Sequence, residues 1–213
     1  EEKLDASVFQ IVDVKEELKA ISTAVDMINN KEGDILMKGL CSTDKYMRAI
    51  LKKEGGLLPP KAVLSHVAVL ESPFYHKLMI ISDMAVIPAP DLKQKEAITK
   101  YVVNTAKALQ IEKPKVAFIA ATEQMLPGMQ ACVDAAILAK MVDRGQIPGC
   151  VADGPLALDV AVSKEAVAIK KLKSEVAGDA DCFVFPNIES ANVFYKVNSQ
   201  MCSGVKQSAM VAG

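Results

Sequence analysis

The stretch "KVAFIAATEQMLPGMQACVDAAILAKMVDRGQIPGCVADGPLALD", residues 115–159, contains a strand, a helix and a second strand in succession, and its reading decides the fold. Residues 115–121 are a short apolar run of the length and composition of a buried strand. Residues 127–144 read as a helix. Gly145 marks its end, because glycine accepts the left-handed backbone that closes a helix. A second strand-like approach then runs into Asp153-Gly154-Pro155, with another carboxylate, Asp159, just beyond. Pro155 fits the first position of a helix, where its missing N–H costs nothing, and Gly154 allows close approach of a ligand or a neighbouring segment. On that reading Asp153 ends the strand and Asp159 lies about one turn into the helix, where negative charge is favoured.

The same alternation extends in both directions. Upstream, residues 15–31 predict a helix ending near Gly33, followed by a short strand at 34–39. Ser42 or Thr43 can cap a helix carrying Tyr46, Met47, Ile50 and Leu51. The stretch "EGGLLPP" (54–60) breaks the chain near an expected domain boundary. Residues 62–70 and 77–83 predict two strands joined by a turn at Ser72-Pro73. Asp91 caps a helix to about Leu109, with Ile98, Tyr101, Val102, Thr105 and Leu109 on its apolar face. Downstream, a helix to about Lys173, a strand at 182–186, a helix at 187–202 and a strand at 208–212 complete the order. The fold class is α/β, with mostly parallel sheets flanked by helices. Ligands of such sheets sit beyond the C-terminal ends of the strands, so polar residues directly after strands are the ones to weigh.

Composition removes whole classes of function. A formal net charge of −1 among 213 residues provides no basic field for nucleic acid or an anionic membrane. Trp is absent and aromatic residues make up 5%, too few for a base-stacking surface. No apolar run approaches the ~18–20 residues of a membrane span, and the opening "EEKLDASVFQ" has neither signal-peptide nor transit-peptide character. Cys41, Cys132, Cys150, Cys182 and Cys202 form no C-x-x-C pair, and only His66 and His76 accompany them. Free thiols in a reducing cytoplasm are therefore expected, with no metal site. Phosphate-loop, dinucleotide-turn, H-E-x-x-H and G-x-S-x-G motifs are absent.

Three strand-to-helix corners remain. At the first, the helix beginning near Ser42 and Thr43 offers free N–H groups to an anion, and Arg48 could reach the same spot. The competing reading is an Asp44–Arg48 surface pair, which spacing alone favours. Arg144, just before Gly145, reads as a structural cation at a helix end. The second corner is Asp153–Asp159. At the third, Pro186 ends a strand, Asn187 can cap, and Asn192 and Lys196 share a helix face. Ser82 and Asp83 follow another strand with a similar balance, and both histidines read as structural.

Together "MKGLCSTDKYMRAIL", "LSHVAVLESPFYHKLMIISDMAV", "AKMVDRGQIPGCVADGPLALD" and "VAGDADCFVFPNIESANVFYK" resemble the phosphate acyltransferases, the butyryl-transferring members more than the acetyl-transferring ones. The resemblance implies reversible acyl transfer between coenzyme A and inorganic phosphate in a ternary complex. Acyl-CoA and phosphate are the substrates, and neither a metal nor a permanently bound cofactor takes part. It implies a two-lobed fold similar to the isocitrate and isopropylmalate dehydrogenases, a homodimer, and no nucleic-acid or membrane partner. It implies that Arg48, with Ser42 and Thr43, binds phosphate. It further implies that Asp153, Gly154, Pro155 and Asp159 line the cleft, joined by Asn192, Lys196 and Asp83. The family's C-terminal Ser-Arg motif has no counterpart after Gly204, so no catalytic base is assigned. The chain is expected to be part of a longer polypeptide. Residues 1–60 would belong to a first α/β domain lacking its N-terminal portion, 61–205 would form the second, and 206–213 would begin a return to the first. Two rival readings are a non-catalytic ligand-binding module of the same fold and a decarboxylating dehydrogenase-like protein. The second would require a metal-binding aspartate cluster, which the sequence lacks.

Overall fold

Apolar residues four apart set the inward face of the first helix. Helix α1 (Glu17–Asn29) buries Ile21 and Val25, and it packs against α2 (Thr43–Ile50), whose buried residue is Ile50. At the end of α1, Lys31 N–H bonds Ile28 C=O at 3.0 Å and Glu32 N–H bonds Met27 C=O at 2.9 Å. The left-handed position of this closing motif is taken by Lys31 (φ 63°), two residues before the Gly33 near which the sequence placed the helix end. The computed structural model describes residues 5–213, and these helices belong to the first of two compact units, which ends at Ala62. Residues 34–39, expected as a strand, are irregular. A strand needs a neighbour for its amides, none exists among the described residues of this unit, and Ile35 and Met37 stand exposed.

The second unit, Val63–Gly213, contains the sheet. Its elements in chain order are β1 (Ser65–Glu71), β2 (Leu78–Ser82), α3 (Leu92–Ala108), β3 (Lys115–Ile119), α4 (Gln130–Asp143), β4 (Val151–Leu156), α5 (Leu158–Val162), α6 (Lys164–Lys170), β5 (Cys182–Val184), α7 (Ile188–Met201) and β6 (Lys206–Ala212). The strand order is β4-β3-β5-β2-β1-β6. The β4-β3, β3-β5 and β5-β2 pairs are parallel, while β2-β1 and β1-β6 are antiparallel. Lys206–Ala212, in the segment expected to begin a return to the first domain, forms β6, whose partner is β1.

Period-two alternation sends each parallel strand's side chains into two cores. Val116, Phe118, Ile80 and Val184 face α3 and α4, meeting Ile98, Val102 and Leu138. Ala117, Ile119, Ile81 and Phe183 face the other way, toward Val160 and Ala161 of α5 and Ala191 of α7. The helix ends follow local chemistry. Asp91 and Gln94 form a reciprocal capping box at the start of α3. Gly145 (φ 73°) closes α4, with Gly145 N–H bonded to Val142 C=O and Gln146 N–H to Met141 C=O, each at 2.9 Å.

Three readings of residues 115–173 need correction. α4 begins at Gln130 rather than at 127, because Leu126–Met129 forms a turn and Met129 is still extended. Pro155 does not open a helix: β4 runs on to Leu156, which pairs with Ile119 and accepts a 2.9 Å bond from Ala120 N–H. The helix after the bend is broken at Ser163, whose hydroxyl caps α6 by accepting Ala166 N–H at 3.2 Å. Gly154 permits a close approach of protein to protein. A Cβ built there would lie 2.6 Å from Phe118 Cβ and 3.1 Å from Ala135 Cβ, and both of those atoms are fixed to backbone. Gly154→Ala is expected to destabilise the fold by about 1–3 kcal/mol, measured as a lowered denaturant midpoint with an unchanged slope.

Candidate active site

The loops at the C-terminal ends of the parallel strands form a crest, in which the loop after β2 is tied to the β5–α7 junction and the loops after β3 and β4 are tied to each other. After β2, Asp83 is almost fully buried. Its carboxylate accepts the N–H groups of Ala85 (2.8 Å), Val86 (3.0 Å) and Ile87 (3.0 Å) and the Ser65 hydroxyl (3.2 Å). Both oxygens are therefore engaged within the protein. Asn192 of α7 donates to Met84 C=O at 3.0 Å, Phe185 N–H bonds Ser82 C=O at 3.0 Å, and Ile188 N–H bonds Pro88 C=O at 2.9 Å. The loop after β2 is thus fastened to the β5–α7 junction. Asn187 caps α7 by accepting Ser190 N–H at 2.9 Å. Lys196 does not share the inward role of Asn192: its side chain lies exposed, with Nζ 5.8 Å from the Tyr195 ring centre.

The bend after β4 separates its two aspartates. Asp153 accepts its neighbour Gly154 N–H at 2.8 Å and opens onto a groove of about 550 Å³ beside the outer edge of β4. Asp159 lies in the first turn of α5, as expected of a helix-start carboxylate, and pairs with Lys170 at 3.2 Å. Lys170 also reaches Glu123 at 3.0 Å, and the same Glu123 oxygen accepts Ala157 N–H at 3.2 Å. Spacing could not reveal Glu123 and Lys170, because their partners lie on other loops of the sheet.

In the first unit, Ser42 is the N-cap of α2, but its hydroxyl makes no capping bond. Its N–H donates to the Glu17 carboxylate at 2.8 Å, and Lys45 pairs with that carboxylate too. The Lys45 and Ser42 bonds hold the Glu17 carboxyl below its usual range. A protein carboxylate therefore occupies a place at this helix start that an incoming anion could use. Thr43 is the first residue of α2. Arg48 forms the i,i+4 pair with Asp44 at 2.9 Å, and its side chain is 79% exposed.

The opposite end of the sheet has an ionic network. Asp179 pairs with Lys115 (2.7 Å), His76 (2.8 Å) and Lys77 (3.2 Å), and Asp181 accepts Lys77 (3.0 Å) and Lys115 N–H (2.8 Å). Burial pushes the Asp179 carboxyl up, but the bonds from Lys115, His76 and Lys77 outweigh it and hold it well below the usual carboxylate range. His76 is structural, as expected. His66 is half-buried beside Met84, and burial lowers its pKa more strongly than Asp83 raises it. Arg144 caps the end of α4, and all five cysteines are free thiols.

The profile of the family described as phosphate acetyl/butaryl transferase matches residues 2–213. The chain belongs to that family. Among phosphate acetyl/butaryl transferase relatives, it is 47% identical over 193 residues to the phosphate butyryltransferase of Clostridium acetobutylicum, covering 91% of this chain and 64% of the relative. It is 39% identical over 204 residues to the phosphate acetyltransferase of Thermotoga maritima, covering 96% and 69%. The crystal structure of a branched-chain phosphotransacylase from Enterococcus faecalis matches with a TM-score of 0.88 at 31% identity. That match covers all of this chain and 76% of that one. The α/β fold read from residues 115–159 is thus the fold of this family.

The Asp179 network gives a pH dependence with a definite sign. A carboxyl held below its unfolded value stabilises the fold above that value, about 3.9, and the contribution fades as pH falls from there through the depressed folded value. Asp179→Asn is expected to cost about 1–3 kcal/mol at neutral pH. It should also flatten the loss of stability below about pH 4, as read from denaturant midpoints across a pH series.

Proposed function

We propose that this protein is a phosphate acyltransferase, which moves a short acyl group, butyryl or similar, reversibly between coenzyme A and inorganic phosphate. Family membership across residues 2–213 carries the reading. In the forward direction a phosphate oxygen attacks the thioester carbonyl, a tetrahedral oxyanion forms, and the CoA thiolate departs and takes up a proton. Direct transfer within a ternary complex needs two oriented substrates and donors aimed at the oxyanion, and orientation alone can supply a large share of the rate.

The candidate residues divide by what they have left to give. Arg48 is exposed and held by one surface pair, a contact of small net value, so its guanidinium can exchange Asp44 for phosphate, a geometry its forked donors suit. Ser42, Thr43 and the start of α2 would assist it as phosphate displaces the Glu17 carboxylate from the Ser42 N–H. Lys196 and Asp159 are likewise exposed enough to meet a substrate. Asp83 and Asn192 are bonded inward and would shape the wall, as Gly154 and Pro155 would, while Asp153 would line the groove beside β4. The family resemblance adds a two-lobed fold like the isocitrate and isopropylmalate dehydrogenases, a homodimer, a cytoplasmic setting, and no permanently bound cofactor. We leave the catalytic base unassigned.

Purified intact gene product should release CoA from butyryl-CoA only when phosphate is present, followed as free thiol. CoA binding without turnover would favour the non-catalytic module instead. Arg48→Ala should raise the KM for phosphate about 10- to 100-fold, the value of charge-assisted hydrogen bonds, and unchanged kinetics would remove Arg48 from the site. Sedimentation should show a dimer at micromolar concentration.

A further inference from the structure

The loops after β3 and β4 are joined by one ammonium group. Lys170, the last residue of α6, bridges Glu123 Oε1 at 3.0 Å and Asp159 at 3.2 Å to Oδ2 and 3.5 Å to Oδ1. Glu123 comes from the loop after β3 and Asp159 from the first turn of α5. The acceptors differ in exposure: the Glu123 side chain is 19% exposed and that of Asp159 58%. Glu123 is the sheltered anchor, and its Oε1 also takes Ala157 N–H, serving a helix start that has no side-chain cap of its own. Asp159 is the end that faces solvent at the crest.

We infer that Lys170 is a positioning residue, anchored by Glu123, that holds the Asp159 carboxylate in one orientation at the substrate wall. The inference rests on the proposed function in taking Asp159 as part of that wall. The ammonium has three donors, and three carboxylate oxygens lie within reach of it. Without it, Glu123 and Asp159 would be two carboxylates with no cation between them, and the exposed Asp159 side chain would be free to turn. The Glu123 hydrogen bond raises the Lys170 pKa, burial opposes it, and Asp159 adds to the rise, so the cation is in place wherever the protein is folded near neutral pH. Arginine could make the same bridge. An uncharged side chain could not.

The test measures phosphate-dependent CoA release by the intact gene product in Lys170→Met, Lys170→Arg, Asp159→Asn and the Asp159→Asn/Lys170→Met double variant, with melting temperatures alongside. Lys170→Met should lower kcat about 10- to 100-fold, the scale of a misplaced group, and leave both KM values and the melting temperature close to wild type. Lys170→Arg should recover most of that loss. The double variant should be no slower than Asp159→Asn alone, because residues that act as a unit are not additive. Wild-type kcat in Lys170→Met, or losses that multiply in the double variant, would overturn the inference and leave the enzyme reading standing. Wild-type kinetics in Asp159→Asn would remove Asp159 from the wall and this inference with it. Absence of phosphate-dependent CoA release from the unmutated protein would end both readings.

Discussion

The architecture of the second unit depends on how closely β4 can approach β3 and α4. At Gly154 there is no room for a Cβ, since Phe118 Cβ and Ala135 Cβ already occupy the space it would need. That approach lets β4 continue to Leu156 and pair with Ile119 across a shift in register. Ala157 and Asp159 then emerge beside the loop that carries Glu123, and Lys170 can join the two. Had β4 stopped at Asp153, as proline chemistry alone suggests, the bend would have begun three residues earlier and Asp159 would lie elsewhere.

Around this approach the polar groups are distributed by sheet direction. Parallel strands gather their starts at one end and their finishes at the other. The starts of β2, β3 and β5 lie next to Lys77, Lys115, Asp179 and Asp181, which neutralise one another. A buried Lys95–Asp134 pair at 2.6 Å, with Gln130 on the second carboxylate oxygen at 2.7 Å, ties α3 to α4. Such pairs contribute more to register than to net stability, because desolvation offsets most of their attraction. At the strand finishes the Glu123–Lys170–Asp159 bridge leaves Asp159 exposed, and Lys196 stands exposed as well. The end of the sheet with unspent polar capacity is also the end where α/β folds bind ligands.

Local chemistry was legible in the sequence wherever it decided the structure. Asp91 opened α3, Gly145 closed α4, and Asn187 capped α7, because each acts on backbone groups within a few residues of itself. Pro155 was misread because its nearest neighbours allow a helix start, while the register with β3, set by residues some thirty-five positions away, requires a strand. Residues 34–39 have a strand's composition but no strand beside them, and composition carries no information about partners. The same limit hid Glu123 and Lys170, which lie 47 residues apart. Asp83 was noticed for its place after a strand. Its function in holding the following loop could emerge only with the loop folded around it.

Internal satisfaction separates two kinds of polar residue without reference to any relative. A carboxylate that already accepts three amides and a hydroxyl, as Asp83 does, could bind substrate only by surrendering bonds that hold its own loop. The cost of leaving those buried donors unpaired, about 1–3 kcal/mol each, exceeds what a substrate contact would return. Arg48 and Asp159 are in the reverse position. Each is engaged by one ion pair that leaves it open to solvent, so a substrate can displace Asp44 from Arg48 at little cost, or join Asp159 while Lys170 holds it. The resemblance implies that Asp83, Arg48 and Asp159 serve one site, and their bonding differs: Asp83 is spent on its own loop, while Arg48 and Asp159 stay open to solvent.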